Sequence, residues 1–269
     1  MRLQIEDIRV GYDDKTIVHD LTIDIPDGKI TTIIGANGCG KSTLLKAITR
    51  IIPYQAGSVV LDGENIQKMN TKKLAQELAI LPQSPESASG LLVEELVSYG
   101  RFPYQKGFGN LSTKDREMID WALQATNTAE FKNRPVDSLS GGQRQRVWIA
   151  MALAQETDII FLDEPTTYLD MAHQLEVLEL LQQLNEKEGR TIVMVLHDLN
   201  QAARFSDYMI ALNTGHLVKA GSSDEVMTNE ILRKVFNIDA VIGADPRTNK
   251  PICITYDLIK EPATQLSAI

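Results

Sequence analysis

Cysteine is scarce: Cys39 and Cys253 are the only two in 269 residues. They lie far apart and without metal-ligand spacing, so the sequence suggests neither a disulfide framework nor a zinc site. No apolar run approaches the roughly 20 residues that a membrane-spanning helix needs. The N-terminus M-R-L-Q-I-E-D-I-R-V alternates like a strand and lacks the apolar core of a signal peptide. A cytoplasmic chain is expected, with any membrane spans supplied by other chains. Positive charge is also in short supply, with 27 Lys and Arg against 36 Asp and Glu, a net charge of −9 and no long basic stripe. Nucleic acid is therefore not an expected partner. The remaining composition, 43% hydrophobic and 23% charged, is that of a globular protein. A chain of this length buries about 70 to 75% of its unfolded surface, as one large domain or a domain with a subdomain.

The most informative stretch is Gly35 to Thr43, G-A-N-G-C-G-K-S-T, directly after the apolar run Ile30 to Ile34. The pattern G-x-x-x-x-G-K-[ST] is a P-loop: Gly35, Gly38 and Gly40 permit a tight turn that aims backbone N–H groups at a phosphate. Lys41 then reaches the β and γ phosphates and the Ser42 hydroxyl can coordinate Mg²⁺. A helix is predicted behind it from the spacing of Leu44, Leu45, Ile48 and Ile51, with its N-terminus facing the anion. Cys39 has two readings here. Lys41 and a helix N-terminus lower a thiol's pKa, but a buried thiol is inert.

In chain order, Leu3, Ile5, Ile8, Val10, then Leu21, Ile23 and Ile25 alternate on strands separated by the turns 11–14 and 26–28. These predict an antiparallel β-flap, with Tyr12 in the first turn, where its ring could stack on an adenine. Residues 58–61 and Asp62-Gly63 predict a hairpin, and Leu78 to Leu81 a buried strand ending at Gln83. Asn70-Thr71-Lys72-Lys73 lacks the adjacent Lys and the Asp of a guanine-reading motif. From Ser84 to Ser138 the pattern turns helical, with segments at 92–97 and at 114–126 behind the cap Ser112.

The second half opens on Leu139-Ser140-Gly141-Gly142-Gln143, with Ser140 as N-cap of a helix carrying Val147, Ala150, Met151 and Ala154. The apolar run Ile159 to Leu162 ends in Asp163-Glu164, carboxylates suited to Mg²⁺ and to water activation. The run Ile192 to Leu196 ends at His197-Asp198, an imidazole within reach of a γ-phosphate. His19, His173 and His216 read as structural or solvated.

These motifs together resemble the ATP-binding cassette (ABC) ATPases of membrane transporters, over roughly residues 1–236 and in the family's order. L-S-G-G-Q alone would arise by chance in on the order of 10⁻³ of chains. The resemblance implies an α/β P-loop core with an N-terminal antiparallel β-flap and a helical subdomain inserted at about 84–150. The C-terminal extension over 237–269 lies largely outside the shared motifs, and its apolar pieces at 241–242 and 252–256 could form a small hairpin. It implies ATP and Mg²⁺ as ligands, with Tyr12 on the adenine and Gly35, Ala36, Asn37, Gly38, Cys39, Gly40, Lys41, Ser42 and Thr43 around the phosphates. Ser42, Gln83 and Asp163 would serve Mg²⁺, Glu164 the attacking water and His197 the γ-phosphate. The signature Leu139, Ser140, Gly141, Gly142 and Gln143 would complete the site of a second copy in a head-to-tail dimer, beside the D-loop ending at Asp170. Cys39 replaces a common Ser, and Thr167-Tyr168-Leu169-Asp170 replaces the commoner S-A-L-D. The run Tyr99 to Tyr104, with 166–170, resembles importers of iron(III)-siderophores, haem and cobalamin. Expected partners are two permease subunits and, indirectly, an extracytoplasmic binding protein, which would place the chain peripherally on the cytoplasmic membrane face. A soluble, non-transport ABC ATPase is the alternative, disfavoured by a single P-loop and the absence of a heptad run.

Overall fold

The computed structural model describes residues 1–13, 15–83, 90–105, 110–167 and 169–259. Strands β1 (Leu3–Tyr12) and β2 (Lys15–Ile25) form a long antiparallel pair, followed by β3 (Ile30–Gly35) and helix α1 (Lys41–Ile48). Then come β4 (Ala56–Leu61), β5 (Glu64–Asn65), α2 (Thr71–Glu77) and β6 (Leu78–Leu81). Helices α3 (Val93–Ser98), α4 (Thr113–Ala125) and α5 (Gly141–Ala154) lead to β7 (Ile159–Asp163), α6 (Met171–Glu188), β8 (Thr191–Val195) and α7 (Leu199–Phe205). The chain continues through β9 (Tyr208–Asn213), β10 (His216–Gly221), α8 (Ser223–Val226), α9 (Asn229–Phe236), β11 (Ile238–Ala244) and β12 (Pro251–Leu258).

The expected flap is a four-stranded antiparallel sheet of order β2-β1-β4-β5. Its two-residue period breaks between Ile5 and Ile8, where the register with β2 shifts and Asp7 takes φ 46°. This bulge keeps both isoleucines on the buried face. The turn Asp62-Gly63 has φ 49° and 79° at its two central residues, the positive values that an Asp-Gly hairpin turn uses.

The second sheet has order β10-β9-β3-β8-β7-β6, with β6, β7, β8, β3 and β9 mutually parallel and β10 antiparallel. β3, β7 and β8 are buried at every residue, as expected of parallel strands covered on both faces. Alternate residues divide between two cores. Ile34, Ile160, Leu162, Ile192 and Met194 join the helices α3 to α7. Ile33, Ile159, Phe161, Val193 and Val195 meet α1 and the antiparallel sheet. The packing of the inserted helices is thus continuous with one face of the parallel sheet.

Local chemistry sets the helix ends. Ser112 caps α4 by accepting from Asp115 N, and Asp115 accepts in return from Ser112 N. Asn70 caps α2 by accepting from Lys72 N and Lys73 N, the structural use of a segment that only superficially looks guanine-reading. The helix predicted to carry Ile51 stops earlier. Arg50 takes φ 60° and donates to the Ile66 and Met69 carbonyls, which turns Ile51 outward to 51% exposure. In the run Tyr99 to Tyr104, Arg101 is buried, donates to Asp115 Oδ1 at 2.8 Å and to Ala154 O at 2.7 Å, and lies 4.0 Å from the Tyr104 ring centroid. It ties the turn after α3 to the start of α4 and the end of α5. The expected hairpin at the C-terminus is β11 paired antiparallel with β12. The first residues of the helical stretch, 84–89, lie outside the described residues, as do Tyr168 and 260–269.

Candidate active site

Four adjacent parallel strands deliver their C-terminal ends to one edge of the sheet. β3 runs into the glycine loop, β8 into His197, β7 into Asp163-Glu164 and β6 into Gln83. Pairing of Ile33 with Val195, Val195 with Asp163, and Leu162 with Leu81 fixes these ends at a common level. The crevice outside the carboxyl ends of such strands is where open α/β sheets bind ligands. Here it is an open cleft of about 740 Å³.

The loop conformation requires glycine. Gly40 takes φ 103° as the N-cap of α1. A Cβ at Gly35 would stand 2.5 Å from the Leu212 carbonyl oxygen. Lys41, buried at the start of α1, donates to the Gly35 and Ala36 carbonyls at 2.8 and 3.2 Å. Both partners are neutral, so an ammonium and a helix N-terminus face the cleft together, a fit for phosphate. Asn37, Gly38, Gly40, Ser42 and Thr43 line the same cleft. Tyr12, at the end of β1, lines it from the flap with 48% exposure.

The acidic strand end is a connected network. Ser42 Oγ donates to Asp163 Oδ1 at 3.0 Å. Burial pushes the Asp163 carboxyl up, reinforced by the neighbouring Glu164 charge and opposed by the Ser42 bond. Glu164 accepts from Gln83 Nε2 at 2.6 Å and from Thr167 Oγ1 at 3.0 Å, and lies 2.6 Å from His197 Nε2. Burial alone would raise its pKa, but the bonds from His197, Thr167 and Gln83 outweigh it and hold the carboxyl below its ordinary value. Glu164 also takes φ 55° immediately before Pro165, a conformation disfavoured for a non-glycine residue and again for a residue preceding proline. Such strain, about 1–3 kcal/mol, persists where surrounding bonds over-determine it.

Mg²⁺ suits this corner. It takes oxygen ligands and keeps waters and substrate phosphates instead of demanding a protein cage. Ser42 and Asp163 offer such oxygens, while among the described residues no group of three or more His, Cys, Asp or Glu forms a metal cluster.

None of Leu139 to Gln143 lines the cleft of its own chain. Ser140 caps α5, accepting from Gln143 N while Gln143 Oε1 accepts from Ser140 N, and Ser140 and Gly141 are exposed. Asp170 caps α6 and bonds His173 through its backbone N–H and ring Nδ1. His173, which the sequence gives as structural or solvated, is structural: its ring bonds Asp170, and a Cβ at Gly142 would fall 2.9 Å from it, so it packs between Gly142 and Asp170. Ile17 was missed, although it is an apolar residue out of phase with Val18 on β2, and it walls the cleft. Thr167 left no signal in the sequence beyond its place three residues before Asp170.

Of the two readings of Cys39, the structure supports the inert one. The side chain is 4% exposed, and burial pushes its thiol up by more than Lys41 and the backbone bonds lower it. Maleimide at neutral pH is expected to leave both buried cysteines of the native protein unmodified on a timescale that labels them fully in denaturant. Stoichiometric labelling of Cys39 with loss of activity would contradict this.

The ABC transporter family model matches residues 18–167. The chain is 63% identical, over 96% of both chains, to the iron(3+)-hydroxamate import ATP-binding protein FhuC of Bacillus subtilis. A structure of an ABC transporter described as metal-chelate type, in an inward-facing conformation, is similar with a TM-score of 0.81 and 28% identity, covering 94% of this chain and 98% of that one. The dimeric cassette MJ0796, in a post-hydrolysis state bound to ADP and Pi, gives a TM-score of 0.71 at 28% identity, covering 82% of this chain and 98% of that one. With these likenesses over nearly the whole length and the P-loop, acidic strand end and histidine meeting in one cleft, the chain belongs to the ABC transporter family of ATPases.

Proposed function

We propose that this ATPase drives the import of an iron(III)-siderophore, working as a head-to-tail dimer on two membrane-spanning permease subunits at the cytoplasmic face, with an extracytoplasmic binding protein presenting the cargo. The observation that carries the reading is the 63% identity to an iron(3+)-hydroxamate import ATP-binding protein across almost all of both chains. Among the described residues no helix is long and apolar enough to cross a membrane, so the permeases would supply the spans.

The side chains divide the work. Tyr12 stacks on the adenine. The backbone N–H groups of the loop from Gly35, with Lys41, hold the phosphates, and Thr43 and Asn37 line their approach. Ser42 and Gln83 would hold Mg²⁺, with Asp163 behind Ser42, and the ion would supply neutralising charge to the phosphates. Glu164 orients the attacking water and takes up its proton, and His197 holds the γ-phosphate. Leu139 to Gln143 of a second copy, with Ser140 and Gly142 foremost, close the cleft from the other side, and Asp170 stands at that junction. Residues 1–236 carry this machinery, with the helical subdomain inserted at about 84–150.

Deletion of the gene in its host tests the cargo. Uptake of radiolabelled iron(III)-trihydroxamate is expected to fall to background and to return with the wild-type chain but not with Glu164→Gln. Normal iron-chelate uptake with loss of haem or cobalamin uptake would reassign the cargo.

A further inference from the structure

The hairpin β11–β12 lies beyond the family's motifs, yet it is fastened to the helix that follows the catalytic histidine. The Asn200 side chain bonds β12 as a strand would. Its Nδ2 donates to Cys253 O at 3.1 Å, and its Oδ1 accepts from Cys253 N at 2.8 Å. At the other end of α7, Lys250 Nζ donates to Ser206 O at 2.6 Å, at the helix C-cap where the orphan carbonyls are. α7 has only seven residues and is held in the core through two alanines, Ala202 and Ala203, and Phe205, which leaves a short helix that packing alone holds weakly. A cavity of about 260 Å³, bordered by Met171 and Leu175 of α6, Asn200 and Arg204 of α7 and Ile252 of the hairpin, lies where the three elements meet, and the hairpin's hydrogen bonds reach α7 and its C-cap. The hairpin's grip therefore falls on α7. From there a second link continues: Gln201 Nε2 donates to Gln174 Oε1 at 2.7 Å, and Gln174 Nε2 donates to the D-loop carbonyl of Leu169 at 3.1 Å.

We infer that Asn200 and Lys250 are positioning residues, through which the C-terminal hairpin clamps both ends of α7 and so fixes His197 against Glu164. Only Asp198, the N-cap, separates His197 from α7, and on its other side Leu196 alone separates it from β8. Any slide of α7 is thus transmitted to an imidazole whose bond to Glu164 is 2.6 Å long. This inference rests on the roles proposed above for His197 and Glu164.

The test uses the dimer assembled with its permeases. Asn200→Asp keeps the side chain's volume but turns an oxygen toward the Cys253 carbonyl, and Lys250→Met keeps the stem but removes the donor. Lys250 is on the hairpin, so its variant keeps the experiment open if the change inside α7 impairs folding. Each is expected to lower kcat roughly tenfold, the scale on which small misplacements act, while KM for MgATP stays within about twofold. In a His197→Ala background the same changes are expected to cost no further kcat, since the group they position is gone, while any thermal destabilisation persists. Independent, multiplying losses would overturn the clamp. So would wild-type kcat in both clamp variants beside a crippled His197→Ala, an outcome that leaves the site's assignment standing. Wild-type turnover in His197→Ala itself would overturn both.

Discussion

Glu164→Gln is expected to lower MgATP hydrolysis by about 10²-fold or more while nucleotide still binds, so that the variant accumulates as an ATP-bound dimer. The substitution keeps size, and its amide can still meet Gln83 and Thr167, the neighbours at 2.6 and 3.0 Å. It loses the charge that His197 pairs with and that would orient and deprotonate water. Two features of the structure sharpen the expectation. The carboxyl is held below its ordinary pKa, against burial, by three side chains, so it is anionic at neutral pH but a weak proton acceptor while they hold it. Two of the three, Gln83 and His197, are the groups proposed to turn to Mg²⁺ and the γ-phosphate, which would return basicity to Glu164 as the site fills. The left-handed backbone at φ 55° aims the residue and is unaffected by the exchange to Gln. Steady-state phosphate release and bound nucleotide per dimer check the result; turnover near wild type would remove Glu164 from the mechanism.

Much of this site was legible before folding because parallel strands announce themselves. A fully apolar run of four to six residues that ends in a polar group is the signature of a strand covered on both faces, and Ile159 to Leu162 and Ile192 to Leu196 behave so, while Ile30 to Ile34 is as deeply buried but carries Thr31 and Thr32. What no run reveals is strand order. That β7 and β8 lie side by side, so that Glu164 meets His197, comes from pairings 32 residues apart, Ile159 with Thr191. Local distortions were equally silent. The bulge at Asp7 and the outward turn at Arg50 each follow from a single positive φ set by tertiary hydrogen bonds. His173 shows the limit from the other side. As a lone histidine it read as structural or solvated, and only the approach of Gly142 gives it a place between signature and D-loop. The C-terminal hairpin was visible as two apolar pieces, at 241–242 and 252–256, but its attachment to α7 depends on one asparagine and one lysine that no pattern singles out.

The largest effect expected of two changes together is a recovery. Lys41→Ala removes a phosphate contact, and Ser140→Arg fills the exposed N-terminus of α5 with a bulky cation; both are placed in the Glu164→Gln background so that ATP-driven dimers persist. Each homodimer is expected to fail to occlude ATP, because both of its sites carry a lesion. In a mixed dimer the head-to-tail arrangement gathers both lesions into one site and leaves the other with an intact P-loop and an intact signature. That dimer is expected to hold about one occluded ATP, a coupling between copies that bound nucleotide reports better than turnover does. The reason to expect two chains in one site is that Leu139 to Gln143 stand apart from the cleft that Lys41, Ser42 and Glu164 line, while Ser140 and Gly141 are exposed and held ready by a capping box. If signature and P-loop served the same chain's nucleotide, every site in the mixture would carry a lesion and verified mixed dimers would occlude nothing. Occlusion at about one ATP per mixed dimer, against none in either homodimer, identifies a site shared between copies.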